Sequence, residues 1–395
     1  MRRRDFLGAA AASAAATAPL PAAASAVKQT KITGMQTDLL HFPGGHIYYD
    51  AIHKFGGPHG AVVLRLTTDA GITGWAESSF GITTGGAEAL QVILEREMKP
   101  VLIGQDPAFS KKLRAEMWKA TEYHGVPGLV TFAMAAVDIA LWDIVGKLMN
   151  APVYRLLGGF RDREPAYSMC GWYYENDNDL SQYKRAIDAA LEEGFHGVKI
   201  KVGRSSLDDD TRRIRAAQEL CGKSRRVMVD ANQVFNANEA IRRGRVYQDL
   251  GCFWLEEPLP PHEMAQYGEV AAALDIRIAT GENLYTKYEF LDLLQHKGAD
   301  VVQPDGRRAG GVSEWMEIGA ISDGFNVELA SHGGGAADMN MLLCMPNGIY
   351  MESGSLKRDS SHIQQLKMVD GEVLAPDMPG MGSELRPDYI EKHRA

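Results

Sequence analysis

From Ala151 onward the chain repeats one unit: a short apolar run, a polar residue or turn, then a helical pattern. The runs fall at 165–171, 197–202, 226–230, 252–256, 277–282, 300–305, 326–332 and 349–352. Helical patterns at 180–193, 208–220, 237–250 and 285–296 fill gaps between them. Strands alternating with helices predict parallel β-strands joined by crossover helices. Eight such units predict a (β/α)8 barrel over 151–355. The alternative, an open doubly wound sheet, more often carries a Gly-rich phosphate-binding turn after its first strand. No such turn follows the run at 165–171.

The segment before the barrel has another texture. Strand patterns at 31–40 and 60–67 precede helical patterns at 87–102, 107–121 and 128–147. Strands first and helices after predict a separate α+β domain over 27–150. Between its two strands, 41–60 is aromatic and punctuated by Gly and Pro, which predicts a long mobile loop. The tail, 356–395, is expected to return to this domain and close its sheet. The whole chain of 395 residues is 45% hydrophobic and 24% charged, a globular balance that excludes disorder. Its net charge of −9 argues against a nucleic-acid surface, which would show a basic excess. Cys170, Cys221, Cys252 and Cys344 have neither metal spacing nor the density of a disulfide scaffold, so they read as small core residues.

Residues 1–26 read as an address. Arg2, Arg3 and Arg4 precede Phe6-Leu7, an Ala-rich apolar stretch and a small-x-small site at Ala24-Ser25-Ala26. This resembles a twin-arginine export signal, and a periplasmic location is expected. The apolar run is shorter than the roughly 20 residues a spanning helix needs. No later stretch is expected to reach that length, so no membrane partner is expected after signal removal.

Barrel enzymes work at the mouth where the strands end. The candidate strands end there in Lys199 and Lys201, then Asp230, Glu256-Glu257, Glu282-Asn283, Asp305, His332 and Glu352. Lys199 and Lys201 are two apart and share a face of their strand. Asp230, Glu256 and Glu282 are spaced 26 residues apart, twice over, as three acids at similar height on adjacent strands would be. Three converging carboxylates repel one another unless a cation neutralises them. Oxygen donors without Cys or His suit a hard cation, and Mg2+ leaves positions for water or substrate. A lysine beside a dication and a second cation has a lowered pKa and can act as a neutral base. Asp305 and His332 on neighbouring strands suggest a dyad, the carboxylate fixing the imidazole tautomer. Glu352 is either a protonated donor to an oxyanion or a structural polar group.

These residues together carry a resemblance to the enolase superfamily, and within it to the mandelate racemase subgroup. The stretch 136–143 with 152–159 resembles the junction between that family's capping domain and its barrel. The Lys-x-Lys of Lys199 and Lys201, Asp230 with Asn232, Glu256-Glu257-Pro258, Gly281-Glu282-Asn283, Asp305, His332 and Glu352 complete the pattern. The resemblance implies an N-terminal α+β capping domain on a (β/α)8-type barrel. It also implies one Mg2+ per subunit, a Lys or His base, and an enediolate formed by removal of the proton α to a carboxylate. Lys201 would face one side of the substrate and His332 with Asp305 the other. Lys199 and Glu352 would stabilise the enediolate oxygens, and Asn232 would be a polar partner near the metal. A homo-oligomer acting on a small carboxylate is expected.

Two bases allow dehydration to a 2-keto-3-deoxy acid, racemisation or epimerisation of a 2-hydroxy acid, or cycloisomerisation of a lactone. The Lys plus His-Asp set resembles the sugar-acid dehydratases, which makes that the leading expectation. A polar substrate is expected to meet His46, Tyr48, Tyr49, His53 and Lys54 in the N-terminal loop. Trp172, Tyr173 and Tyr174 follow the first barrel strand, and Arg307 with Arg308 follow Asp305. Each of these reads equally as a packed aromatic or a solvated polar group. Readings from other classes are a glycoside hydrolase using Glu256 and Glu282 as its acid pair, and a periplasmic solute-binding protein. Export departs from the family's usual cytoplasmic sugar-acid breakdown. It points to a substrate released from polysaccharide or aromatic material outside the cytoplasm.

Overall fold

The computed structural model describes residues 29–79, 83–358 and 361–395, and the expected export signal lies outside them. The described residues begin with strands β1 (Ile32–Phe42), β2 (Tyr48–Tyr49), β3 (Lys54–Phe55), β4 (His59–Thr68) and β5 (Thr73–Ser79). Helices α1 (Thr84–Ile93), α2 (Lys99–Leu102), α3 (Ser110–Thr121) and α4 (Leu129–Leu148) follow. β1, β4 and β5 form an antiparallel sheet in that order. β5 is a strand that the sequence pattern did not reveal.

The segment expected as one long loop instead contains a hairpin. β2 pairs with β3, Tyr48 opposite Phe55. α5 (Val153–Leu156) then leads into β6 (Arg163–Gly171) and β7 (Tyr173–Tyr174). β2 also pairs with β7, so the hairpin of the first domain docks on the end of the first barrel strand. Its aromatic residues explain the order: Tyr48 and Phe55 stack at 5.4 Å, and both meet Trp172 edge-on.

The barrel continues through α6 (Ser181–Glu193), β8 (Gly197–Lys201), α7 (Leu207–Cys221), β9 (Arg226–Asp230), α8 (Ala237–Asp249) and β10 (Trp254–Glu256). Next come α9 (Met264–Ala273), β11 (Arg277–Thr280), α10 (Thr286–Gln295), β12 (Val301–Val302), α11 (Gly306–Ala309) and α12 (Val312–Gly324). The last units are β13 (Glu328–Ala330), α13 (Ala336–Leu342) and β14 (Gly348–Ser353). Strands β6, β8, β9, β10, β11, β12, β13 and β14 pair in parallel, and β14 pairs back to β6. All eight expected strands are present among the described residues, and they close into a barrel.

The reasons are local. Every residue of β8 is buried, as a strand covered on both faces must be. α6 buries Tyr183, Ile187 and Ala190 along one stripe at helical spacing. α7 starts at Ser206, whose hydroxyl accepts from the Asp209 N–H, and its first turn holds three acids that complement the helix dipole. α8 is capped in the same way by Asn236.

The tail adds β15 (Met368–Val369) and β16 (Glu372–Leu374), the latter antiparallel to the start of β6. It then runs to α14 (Pro387–His393), beside β1. It meets β1 through the β-bridge of Leu40 with Arg394 and through the Arg394–Asp38 ion pair at 2.9 Å, and not as a full strand of that sheet.

One expectation is overturned here. α4 is long and apolar enough, by length and composition, to cross a membrane. It is apolar all round because it is buried between the first domain and the barrel. Asp138 ties it to the barrel: its carboxylate accepts from the Ser313 N–H at 2.7 Å and from the Ser313 hydroxyl at 2.8 Å. Asp143 accepts from the Trp75 and Met381 N–H groups and pairs with Lys147 at 2.8 Å.

Burial lifts the Asp138 carboxyl to about 6, against the pull of Ser313 and Arg114. From pH 3.8 to about 6 the folded chain therefore keeps a proton that the unfolded chain releases. The contribution of Asp138 to stability falls as pH rises through that window and is flat above it, the whole effect being on the order of 3 kcal/mol. Asp138→Asn removes this slope. Urea unfolding of both proteins at pH 4.5 and 6.5 checks it: the wild type should lose stability relative to the variant at the higher pH.

Candidate active site

Asp230 ends β9 and Glu256 ends β10, directly opposite each other in the ladder. The register partner of Glu256 on β11 is Ala279, not Glu282. Glu282 lies beyond the end of β11 and is returned to the group by a turn at Gly281, φ 135°. A Cβ there would lie 2.8 Å from the Phe290 ring and 3.0 Å from the Gln303 nitrogen, so only glycine fits. One carboxylate oxygen from each of Asp230, Glu256 and Glu282 lies within 4.8 Å of the others. Asp230 and Glu256 are buried, and Glu282 is partly open to the mouth.

Both lysines enter this cluster. Lys199, fully buried on β8, donates to Glu256 and to Glu352, and its ammonium is 3.6 Å from Asp230. Lys201 donates to Asp230 at 2.5 Å. Burial works against both charges, but Glu256 and Glu352 outweigh it for Lys199, and Asp230 does for Lys201. In the protein by itself both ammonium groups are thus held charged; the neutral lysine base is expected beside a bound dication. Burial likewise pushes Glu352 up, but Lys199 and His332 hold it ionised, at about 2. Of the two readings of Glu352, the protonated donor is not the one this arrangement favours. The carboxylate accepts from Lys199 and, at 2.8 Å, from the Tyr167 hydroxyl.

Asp305 and His332 form a bridge between neighbouring strand ends, with His332 Nδ1 2.8 Å from Asp305 Oδ2. The other ring nitrogen, Nε2, faces the carboxylates, 3.4 Å from Glu282 and 3.7 Å from Glu352. Burial opposes charge on the ring, but Glu282, Glu352 and Asp305 lift it to about 10. Asp305 is itself held well below the usual carboxylate range, despite burial, by Arg307 and His332. The two candidate bases therefore flank one cluster: Lys201 at Asp230 and His332 at Glu282.

The other expected residues divide. Asn232 stands beside Asp230, donating to it through both backbone and side chain. Trp172 covers Lys201, whose ammonium is 4.7 Å from the ring centroid, and Tyr48 packs on Trp172. Arg307, expected to hold a distal substrate group, is instead turned back onto Asp305 at 2.7 Å, because that buried carboxylate is its nearest counter-charge. Lys54 is exposed on the hairpin. His46 packs towards Tyr174 and borders a cavity outside the barrel between β6 and α6. The structure joins neither His46 nor Lys54 to the cluster.

Sequence reading missed a supporting layer. Trp254 Nε1 and Gln303 Nε2 donate to the Glu256 oxygen that Lys199 does not use, at 3.0 and 2.9 Å. Both precede a strand-end acid by two residues, Glu256 and Asp305, and that alternation was the available signal. Glu257, fully buried, accepts from Gln233 and Asn283.

The donor set fits a hard divalent cation: three carboxylates, no sulfur, and an open side at Glu282. Asn232 Oδ1, beside Asp230, is buried without a hydrogen-bond partner in the protein, a further oxygen free to meet a hydrated ion or a substrate.

Comparison with known proteins agrees with this geometry. Residues 182–389 match the family described as enolase C-terminal domain-like. Residues 56–158 match the mandelate racemase / muconate lactonizing enzyme N-terminal domain. An arabinonate dehydratase of Saccharolobus solfataricus is 32% identical, covering 85% of this chain and 91% of its own. A D-galactarolactone cycloisomerase of Agrobacterium fabrum is 31% identical over 92% of this chain and 99% of its own. A racemase from Streptomyces coelicolor A3(2), solved with bound magnesium, superposes with a TM-score of 0.85 at 29% identity, covering 92% of this chain and 100% of its own. The chain belongs to the enolase superfamily, in its mandelate racemase subgroup.

Proposed function

We propose that the protein dehydrates an acid sugar, removing the proton α to a carboxylate and a hydroxyl from the β carbon to give a 2-keto-3-deoxy acid. The observation that carries this reading is the meeting of two candidate bases, Lys201 and Asp305-backed His332, at one carboxylate cluster. Asp230, Glu256 and Glu282 are the residues to hold Mg2+. Bound there, the ion supplies a Lewis acid for the substrate carboxylate and offsets the carboxylates that keep the lysines charged.

The chain's own residues supply the rest. One base takes the α-proton, so the C–H electron pair passes into the substrate carboxylate. Lys199, on the inner side of the cluster, brings positive charge towards those oxygens. As the β C–O bond breaks, the base in its protonated form gives a proton to the departing hydroxyl, which leaves as water. The enol then becomes the 2-keto acid. His332 suits this exchange because Asp305 binds Nδ1 and leaves Nε2 towards the cluster. Trp172 and Tyr48 wall the Lys201 side and exclude water from it.

A second reading is favoured by the same pair of bases. A proton removed on one face and returned on the other gives racemisation or epimerisation, and a lactone substrate gives cycloisomerisation. Relatives of the chain are named for each of these outcomes. We also propose that 1–26 exports the protein, on the sequence pattern alone.

Three outcomes are expected. EDTA treatment should abolish formation of 2-keto-3-deoxy product from an acid-sugar library, and Mg2+ should restore it. Lys201→Ala and His332→Asn should each lower turnover by at least about 100-fold. Loss of α-deuterium exchange in only one of them names the abstracting base. Exchange with no keto product from any acid sugar would replace dehydration by the racemase reading. With Arg3 and Arg4 replaced by lysine, the full chain should stay in the cytoplasmic fraction, and unchanged export would contradict the signal assignment.

A further inference from the structure

Glu257 has no place in the chemistry above, yet its carboxylate lies between the turns that deliver the metal-binding acids. It directly follows Glu256 at the end of β10 and is fully buried. Its neighbours on either side are Gln233, three residues after Asp230, and Asn283, one after Glu282. The Gln233 side-chain amide donates to Glu257 Oε2 at 3.1 Å. The Asn283 amide donates to both Glu257 oxygens at 2.9 Å. The backbone follows the same line: the Gln233 N–H donates to the Glu257 carbonyl at 2.7 Å, and the Glu257 N–H to the Ala279 carbonyl at 2.9 Å.

The turns joined in this way are unusual. Asn232, Gln233 and Glu257 all have positive φ, at 42°, 69° and 38°, and Gly281 has 135°. Non-glycine residues rarely adopt such angles and persist in them only where the surroundings hold them there. The positive φ at Glu257 takes it out of the regular strand, and its buried carboxyl group lies between Gln233 and Asn283. A carboxyl group buried among other acids is a costly spacer whether charged or protonated, and an apolar side chain would pack the same space at lower cost. What it provides is acceptors for two amides at once.

We infer that Glu257 is a positioning residue that fixes the turns after β9 and β11 to the end of β10, setting the mutual placement of Asp230, Glu256 and Glu282 for a divalent cation. This rests on the assignment of those three acids to Mg2+. Glu257→Met keeps the length and removes both acceptors. Glu257→Gln keeps one acceptor and meets the other amide with a donor.

The test is calorimetric titration of Mg2+ into the full chain, with thermal unfolding in EDTA recorded alongside. Glu257→Met should bind Mg2+ about 10- to 100-fold more weakly than wild type. Glu257→Gln should fall between, and the order of metal affinity should not follow the order of melting temperature in EDTA. Asn283→Ala should also weaken binding, and adding it to Glu257→Met should cost little more, since both remove the same link. Wild-type Mg2+ affinity in folded Glu257→Met overturns the inference. If that variant does not fold, Asn283→Ala decides: unchanged affinity overturns the inference, and weakened affinity supports it. Failure of the wild-type chain to bind Mg2+ would overturn the metal assignment and not the link between the turns.

Discussion

Three carboxylates brought within 4.8 Å of one another at a buried mouth are the constraint on which this structure turns. At an effective dielectric of about 20, each pair repels by roughly 3–4 kcal/mol. Three pairs together are comparable with the whole stability of a typical domain, about 5–15 kcal/mol. Such a cluster must hold positive charge beside it or a proton on one of its carboxyls, and burial pushes Glu256 up to about 8 even beside Lys199. Lys199 and Lys201 provide that charge from the adjacent strand, buried and each in contact with the acids. The same electrostatics make the site receptive to a dication.

The rest of the architecture serves that meeting. Strand register places Lys201, Asp230 and Glu256 level on β8, β9 and β10. The turns beyond the strands bring in Glu282, Asp305 and His332. α4 and the first domain pack over the barrel through Asp138 and Ser313, and the β2–β3 hairpin pairs with β7 next to Trp172. The aromatic wall on Lys201 therefore depends on the docking of the two domains.

Much of this was legible in the sequence because apolar runs and strand-end polar residues are local signals. The eight strands, the acids and the base pair could be read in that way. What could not be read was set by conformation at single residues. Equal spacing predicts Glu282 level with Glu256, but it reaches the cluster through a glycine turn from beyond the strand. Glu257 lies next to Glu256 in sequence, and a positive φ sets it against Gln233 and Asn283. Arg307 could point to the substrate or back to Asp305, and the choice depends on a counter-charge 2.7 Å away. The β2–β3 hairpin has two residues per strand, too short for a periodic signal, and it is ordered by a partner more than a hundred residues away.

The reaction proposed for this site is removal of a proton α to a carboxylate with the help of Mg2+. Proton NMR of an acid sugar in D2O, with the wild-type chain and Mg2+, tests it most directly. Loss of the α-proton signal by deuterium exchange or turnover is expected, and it should be abolished when EDTA replaces Mg2+. An acid sugar turned over with its α-proton retained, or exchange that persists in EDTA, would contradict it.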